Sequence, residues 1–550
     1  MCKGNIRSLR KFTKLKVIKG KVYKGEKEIM NYLKKKILKI GWEKIALFLI
    51  ILIAGFLRLY KIQDFQYFTY DQARDYLIIK RMIVDHKFTL VGPTLSIAPG
   101  VFPPPFYYYS LIPFLWLFKF RIAGPDVYTA VLGISAVYFF YFLAKDFFSK
   151  KSALFLTFFF AINPYLIHTS RHAWNPNTIY LFSILFALAF ERYWLKKERK
   201  YCILASFSLA WAIGLHLTAI VLLPFWFLIL RKEVRKKSFD LFFWLAIVAF
   251  LIVFLPLCFF EVRHGFQIIK NGFLFLASPK VQGNLGEKIS NLIVDLIKMP
   301  VVFLSGLGIK ENLTVRPSNI TPFFRFAFSV KAFSLVFIAL FVFSFLLCLR
   351  DSTRIKKTGT RLILFLWLSG FINRLFFPPT FFYFYYYLLI FPFSFLVLGF
   401  LIEEIFLLKS LLRNIILTFI ILIFIFSSAQ NFLITEVNKE DYYLPVSKSI
   451  FKDALSSQNI AVAANVADRT RWEKNGLEYR YFLEAFYKLP STGWDKDDYQ
   501  RADVLYLIDE GDLPEPLKFG GMEMEAFKPV KIEKAWKVET GQKVYKLLKN

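Results

Sequence analysis

Asp71 and Arg74 stand three residues apart in Tyr70-Asp71-Gln72-Ala73-Arg74-Asp75, directly ahead of the apolar run Tyr76-Leu77-Ile78-Ile79. A carboxylate flanked by a guanidinium can accept a proton from a hydroxyl. An Asp at the head of a helix can also satisfy the free N–H groups of the first turn, and one residue can serve both ends. The five histidines add to the reactive inventory: His86, His168, His172, His216 and His264, each in a connecting segment. His168 and His172 fall in His168-Thr169-Ser170-Arg171-His172-Ala173-Trp174-Asn175-Pro176-Asn177, and His264 in Glu261-Val262-Arg263-His264-Gly265-Phe266.

Arg171 and Arg374 lie at the ends of apolar stretches. Such arginines anchor a helix at an interface by snorkelling, or they grip two phosphate oxygens with one planar fork. Arg74, Lys80, Arg81 and Arg263 can add to an anion site of that kind. Asp71, His172, Glu261 and His264 carry atoms suited to a divalent cation, but residues so far apart in the chain make no recognisable metal motif. A Gly-rich phosphate loop, a Cys/His zinc spacing and a Ser-His-Asp order are all missing from the sequence.

The elements that must position these residues are membrane helices. A chain of 550 residues that is 56% hydrophobic and 19% aromatic, with 67 Phe, is outside the range of ordinary soluble domains. Its mean hydropathy is +0.45. Hydrocarbon thickness asks for about 20 apolar residues per crossing. Eleven stretches approach that with their flanks: Ile45–Tyr60, Val127–Ala144, Ala153–Ile167, Thr178–Leu195, Tyr201–Leu215, Leu217–Leu230, Leu241–Phe260, Val330–Leu349, Leu362–Phe377, Phe382–Ile402 and Ile415–Phe426.

The net charge of +32 follows this topology and does not mark a nucleic-acid partner. Residues 1–44 hold 15 Lys+Arg against 3 acids, and further basic clusters at Lys145–Lys151, Lys196–Lys200, Arg231–Lys237, Arg350–Arg361 and Lys409–Arg413 all follow an even number of crossings. The positive-inside rule then makes the N-terminal tail cytoplasmic. Phe106–Phe118 is apolar enough to cross, but a crossing there would turn every later cluster outward, so Pro103–Phe120 is expected to be a proline-started helix that lies at the outer interface or dips in and back. The expected organisation is a basic cytoplasmic tail (1–44), a bundle of about eleven spans (45–430) with large outer loops at 61–125 and 261–328, and an extracytoplasmic C-terminal domain (431–550). That last segment is nearly neutral, with 18 Lys+Arg and 20 acids. Within it Asn459–Ala464 and Ala502–Ile508 read as buried strands and Pro445–Leu455 and Gly476–Tyr487 as helices, a small α/β domain.

Aromatic runs at Phe106–Tyr109 and Phe381–Tyr387 suit an interfacial belt by default and a groove for an isoprenoid chain as the alternative. Sequons stand at Asn312 and Asn319. The four cysteines are scattered and imply no disulfide framework.

At these residues the chain resembles the GT-C superfamily of integral-membrane glycosyltransferases, in the branch of the protein O-mannosyltransferases and the lipid A aminoarabinose transferase. The resemblance rests on Tyr70–Asp75, on Gly92-Pro93 leading to Gly100 and Pro105–Tyr109, on Ser170–Asn177 and on Glu261–Phe266, spread over about residues 45–400. It implies a polyprenyl-phosphate-linked sugar donor, an extracytoplasmic acceptor hydroxyl, and Asp71 as the essential first-loop acid. It further implies inverting transfer, with Arg171, Arg263 or Arg374 stabilising the leaving phosphate and Arg74, His172, Glu261 and His264 about the substrates. Some members of the superfamily use a divalent ion and others do not. Two departures stand out. Gln72 occupies the position where protein mannosyltransferases carry Glu, and Phe102-Pro103-Pro104-Pro105 stands where related sequences show His-Gly-Pro.

Two other classes share parts of this pattern. A flippase or exporter of lipid-linked sugars also needs aromatic grooves and basic residues, but carriers that alternate access tend to show internal repeats and midplane charges. A scaffold displaying the C-terminal domain leaves the Asp-Arg cluster unexplained.

Overall fold

Hydrocarbon offers no hydrogen-bond partner to a peptide group, so apolar stretches in lipid close their own backbone bonds as helices. The computed structural model describes residues 41–65, 68–95, 98–237, 239–278, 284–305, 331–352, 358–376, 384–432, 438–454, 458–467 and 473–549. It divides into two units, Met1–Ile50 and Ile51–Asn550. Most of the basic tail, both sequons and the start of the second aromatic run lie outside the described residues.

In chain order the helices are α1 (Trp42–Leu59), α2 (Tyr70–Val84), α3 (Phe106–Leu117), α4 (Ala123–Phe147), α5 (Lys150–Ile162), α6 (Pro164–Thr169), α7 (Ile179–Trp194), α8 (Tyr201–Leu215), α9 (Leu223–Arg235), α10 (Leu241–Arg263), α11 (Gln267–Ala277), α12 (Leu285–Ser305), α13 (Lys331–Ser352), α14 (Thr358–Phe376), α15 (Phe391–Leu407) and α16 (Ser410–Phe432). This is a polytopic helical membrane protein. Each of the eleven apolar stretches carries a helix, and three described segments are long and apolar enough to cross by length and composition alone: Ala123–Phe147, Leu241–Arg263 and Tyr385–Leu407. Their surroundings differ. The last is 83% buried inside the protein and forms the bundle's centre, whereas α10 is 17% buried and turns Leu241, Trp244, Leu251 and Leu255 outward. Apolar side chains so exposed belong against lipid.

The 12 residues of α3 span about 18 Å at the α-helical rise, short of the roughly 30 Å hydrocarbon core. It packs against α2 and the start of α4. Within the second outer loop, α12 turns its polar face inward, burying Lys288, Asn291 and Asp295, the last against α14, while Leu285, Ile289 and Ile293 stay exposed.

After the bundle come α17 (Lys439–Asp453), β1 (Ile460–Asn465), α18 (Leu477–Phe486), α19 (Lys496–Arg501), β2 (Val504–Asp509), α20 (Met522–Phe527), β3 (Lys531–Lys537) and β4 (Lys543–Leu548). The sheet order is β1-β2-β4-β3. β1 and β2 are parallel with Ile460 opposite Val504, while β4 runs antiparallel to both β2 and β3. All six residues of the central strand β2 are buried. The exposed edge β3 carries Lys531, Lys534 and Lys537, charges that discourage further strand pairing. Arg480 of α18 is fully buried and donates to the carbonyls of Asn475 (2.8 Å), Val462 (2.9 Å) and Gly493 (3.2 Å), fastening the helix to β1. α18 therefore sits between the sheet and α2.

Candidate active site

Helix α2 begins with Thr69 as N-cap and Gln72 at N3, which together form a capping box. The Gln72 carbonyl oxygen accepts from the Thr69 N–H (3.2 Å) and from its hydroxyl (2.8 Å). The cap is thus Thr69, and the alternative of Asp71 as cap is corrected: Asp71 is already inside the first turn, with its side chain free of that duty. Gln72 at this position is explained as well, since an amide closes the box as a Glu does.

One helical turn brings Asp71, Arg74 and Asp75 onto a common face. Arg74 Nη1 lies 3.0 Å from Asp71 Oδ1, while Nη2 and Nε hold Asp75 Oδ1 at 2.8 and 2.9 Å. Tyr108 of α3 donates its hydroxyl to the same Asp75 oxygen at 2.7 Å. The two carboxylates sit in opposite environments. The Asp71 side chain is 36% exposed and that of Asp75 only 1%. Burial pushes the Asp75 carboxyl up to about 6, with Asp71 adding to the rise and Arg74 and Tyr108 opposing it. Burial works against the Arg74 charge, but Asp75, Tyr108 and Asp71 hold the guanidinium well above its usual range. The arrangement is a half-open carboxylate oriented by an arginine that a buried carboxylate and a phenol lock from behind. Asp75 and Tyr108 are the residues that sequence reasoning did not select. The signal for Asp75 was its position four residues after Asp71; Tyr108 stood within Pro105–Tyr109, but nothing in the spacing paired it with Asp75.

The aromatic runs are not a belt where they are described. Tyr107, Tyr108, Tyr386 and Tyr387 are all buried. A phenol in the interior needs a hydrogen-bond partner, and Tyr108 finds Asp75 while Tyr387 finds Asp295 (2.8 Å).

The remaining candidates stand in three other places. Arg171 and His172 belong to the turn after α6, where Asn163 caps the helix through Leu166 N–H (3.1 Å). Arg171 is buried and donates to the Tyr60 carbonyl. Burial, then Arg58, draws its guanidinium down to about 10, with Asp64 opposing. His172 packs edge-on against His168 with centroids 4.6 Å apart, and burial together with His168 holds it well below the usual imidazole range. Asp126 of α4 accepts from Ala173 N–H (2.8 Å) and ties this turn to the bundle. Glu261 accepts from Ile268 and Ile269 N–H (2.8 and 3.0 Å), capping α11 across the left-handed residues Gly265 and Phe266, while Arg263 and His264 are exposed. Arg374 is buried in α14 with its Nε 3.3 Å from Asp295. Of these residues only Arg74 touches Asp71. Among the described residues no three His, Cys, Asp or Glu side chains gather as a metal set.

An apolar groove of about 650 Å³ opens between the first outer loop, the 3-10 turn Leu217–Leu222, α9, α11 and α14. Val101, Ile220, Phe227, Phe275 and Ile372 line it, with Asn373 a polar exception.

Residues 103–260 match the family of dolichyl-phosphate-mannose-protein mannosyltransferases. No curated protein matches the chain. Among solved structures, ArnT from Cupriavidus metallidurans bound to undecaprenyl phosphate aligns at TM-score 0.55 and 11% identity, over 92% of this chain and 98% of that one. The oligosaccharyltransferase of Archaeoglobus fulgidus tethered to an acceptor peptide with an NVT sequon aligns at TM-score 0.47 and 14% identity, over 92% and 74%. The archaeal oligosaccharyltransferase AglB from Archaeoglobus fulgidus, in complex with an inhibitory peptide and a dolichol-phosphate, gives TM-score 0.46 and 14% identity, over 88% and 73%. The ArnT likeness spans the whole architecture and shows a shared fold.

Proposed function

We propose that the chain is a GT-C-type integral-membrane glycosyltransferase that moves a sugar, with inversion, from a polyprenyl-phosphate donor to a hydroxyl of an extracytoplasmic acceptor, a reading supported by the mannosyltransferase match over residues 103–260 and the fold shared with ArnT. The observation that carries this reading is Asp71, half-exposed and oriented by an arginine that Asp75 and Tyr108 hold in one place. A general base needs access to its proton and a fixed direction, and this carboxylate has both.

In the proposed step the acceptor oxygen attacks the anomeric carbon and its proton passes to Asp71. The bond from that carbon to the phosphate oxygen breaks on the opposite face, the bonding pair leaves with polyprenyl phosphate, and the transition state has oxocarbenium character. Cationic side chains stabilise the departing charge. Of Arg171, Arg263 and Arg374, the exposed Arg263 is the one whose guanidinium is turned to solvent. The apolar groove suits the isoprenoid chain in size and lining; ArnT, the fold relative, binds undecaprenyl phosphate. The reading puts Asp71 and the C-terminal domain outside the cell membrane. A divalent cation, if used, would draw on Asp71, His172, Glu261 or His264.

The test is transfer of labelled sugar from a panel of synthetic polyprenyl-phosphate hexoses and pentoses to membrane acceptors, wild type against Asp71→Asn at matched expression. Loss of about 10²- to 10⁴-fold is expected, the usual contribution of a positioned base. Equal labelling in both removes Asp71 from catalysis. Absence of labelling with every donor, alongside translocation of lipid-linked sugar in liposomes, favours the carrier.

A further inference from the structure

Helix α2 carries Asp71 and Arg74, yet only one of its sides is held by the first outer loop, through Tyr108 and Asp75. The other side is held by a domain that begins more than three hundred and fifty residues later. Glu484 of α18, with a side chain 5% exposed, accepts from Arg81 Nη2 at 2.8 Å and Nε at 3.4 Å and lies 3.7 Å from Lys80 Nζ. The Arg81 guanidinium stands 5.8 Å from the centre of the Trp494 ring.

At the other end of α2, Phe68 is buried among the rings of Tyr443, Tyr481 and Phe482, with centroids 5.8, 5.7 and 5.6 Å away. Tyr76 meets Tyr481 at 5.9 Å, and the Tyr70 hydroxyl faces Asn475 and Glu473. Two further bonds fasten the same domain to the end of the loop: Tyr481 donates to the Phe120 carbonyl, and Glu440 accepts from Ile122 N–H at 2.8 Å.

Arg81 already sits in the last turn of α2, where the helix dipole favours a cation, so the helix does not need Glu484 to tolerate it. A carboxylate taken out of water is costly unless well-placed cations compensate, and the best-attested benefit of such pairs is a fixed register. We propose that Glu484 is a positioning residue: the C-terminal domain grips α2 at both ends and through that grip holds Asp71 and Arg74 at the reacting centre. The proposal rests on the transferase reading for its kinetic consequence but not for its structural one.

The experiment compares wild type, Glu484→Gln and the double charge reversal Arg81→Glu/Glu484→Arg in lipid nanodiscs, by hydrogen exchange of residues 70–84 without donor and by transfer kinetics. A displacement of about 1 Å at a reacting group costs on the order of 10²-fold. Glu484→Gln is therefore expected to speed exchange within 70–84 and to lower kcat by roughly ten- to a hundred-fold while donor KM stays near wild type. The double reversal is expected to restore both. Unchanged exchange in 70–84, or unchanged kcat beside accelerated exchange, overturns the proposal. Should Glu484→Gln fail to reach the membrane, the double reversal decides, with recovery of wild-type exchange supporting the grip and failure refuting it. Should wild type transfer no sugar from any donor, the transferase reading falls by itself and the exchange results alone judge the grip.

Discussion

Replacing Asp75 by Asn separates the charge of the buried carboxylate from its shape. Asp75 is fully buried and its carboxyl is raised from 3.8 to about 6. Two units correspond to roughly 3 kcal/mol by which the fold disfavours the charged form. The sign is set by proton binding. Between about 4 and 6 the native state holds a proton that the unfolded chain has lost, so stability falls as pH rises through that window and is flat above it. Asn removes the charge while keeping an oxygen for Arg74 and Tyr108, but its amide N–H groups need partners, and an unsatisfied buried group costs about 1 to 3 kcal/mol. The two effects nearly cancel. Asp75→Asn is therefore expected to unfold within about 2 kcal/mol of wild type at pH 8 and to lose the wild-type pH dependence of stability between 4 and 6. Activity responds differently. A neutral Asp75 no longer balances Arg74, whose only remaining carboxylate is Asp71, so the guanidinium shifts toward the base and transfer falls by roughly 10²-fold. Wild type is expected to show an acid limb near pH 6 that the variant lacks. Thermal unfolding in nanodiscs and a pH profile of transfer read both quantities. An unaltered acid limb in Asp75→Asn, or a wild-type rate at pH 8, refutes the argument that Asp75 acts through Arg74.

Two further outcomes follow from the geometry. Thr69→Ala removes the helix cap and is expected to cost about 1 kcal/mol, read as a lower unfolding temperature with measurable transfer retained; a loss of transfer as large as that of Asp71→Asn would tie the cap to the chemistry. A side chain built at Gly272 meets nothing within 4 Å and points into the groove's open space, so Gly272→Phe is expected to leave expression intact and to raise KM for long-chain donors while sparing short-chain ones. Equal kinetics across a chain-length panel would place the isoprenoid elsewhere.

Much of the site's first level is readable from spacing. Asp71, Arg74 and Asp75 fall on one face because a helix repeats every 3.6 residues, and the polar start of an otherwise apolar run marks where that helix begins. The membrane character is readable for a related reason: lipid selects on composition over about 20 residues, without regard to distant neighbours. The expectation that 103–120 does not cross rests on Lys and Arg placement, which constrains topology globally. Arg171, Glu261 and Arg374 looked alike as polar residues at apolar ends, and their surroundings separate them. One is engaged with a backbone carbonyl, one caps a short helix and one is paired with Asp295.

What the chain alone determined, then, is that apolar helices build the protein, where the helix bearing Asp71 lies, and which side chains share its face, all consequences of local periodicity and composition. What only the tertiary structure decided is which carboxylate stays open and which is locked. That choice depends on Tyr108, 33 residues from Asp75, just as the far end of the same helix meets Glu484, 403 residues from Arg81. A buried charge must find its partners wherever the fold brings them, and desolvation makes that requirement strict without leaving any mark in the spacing of residues.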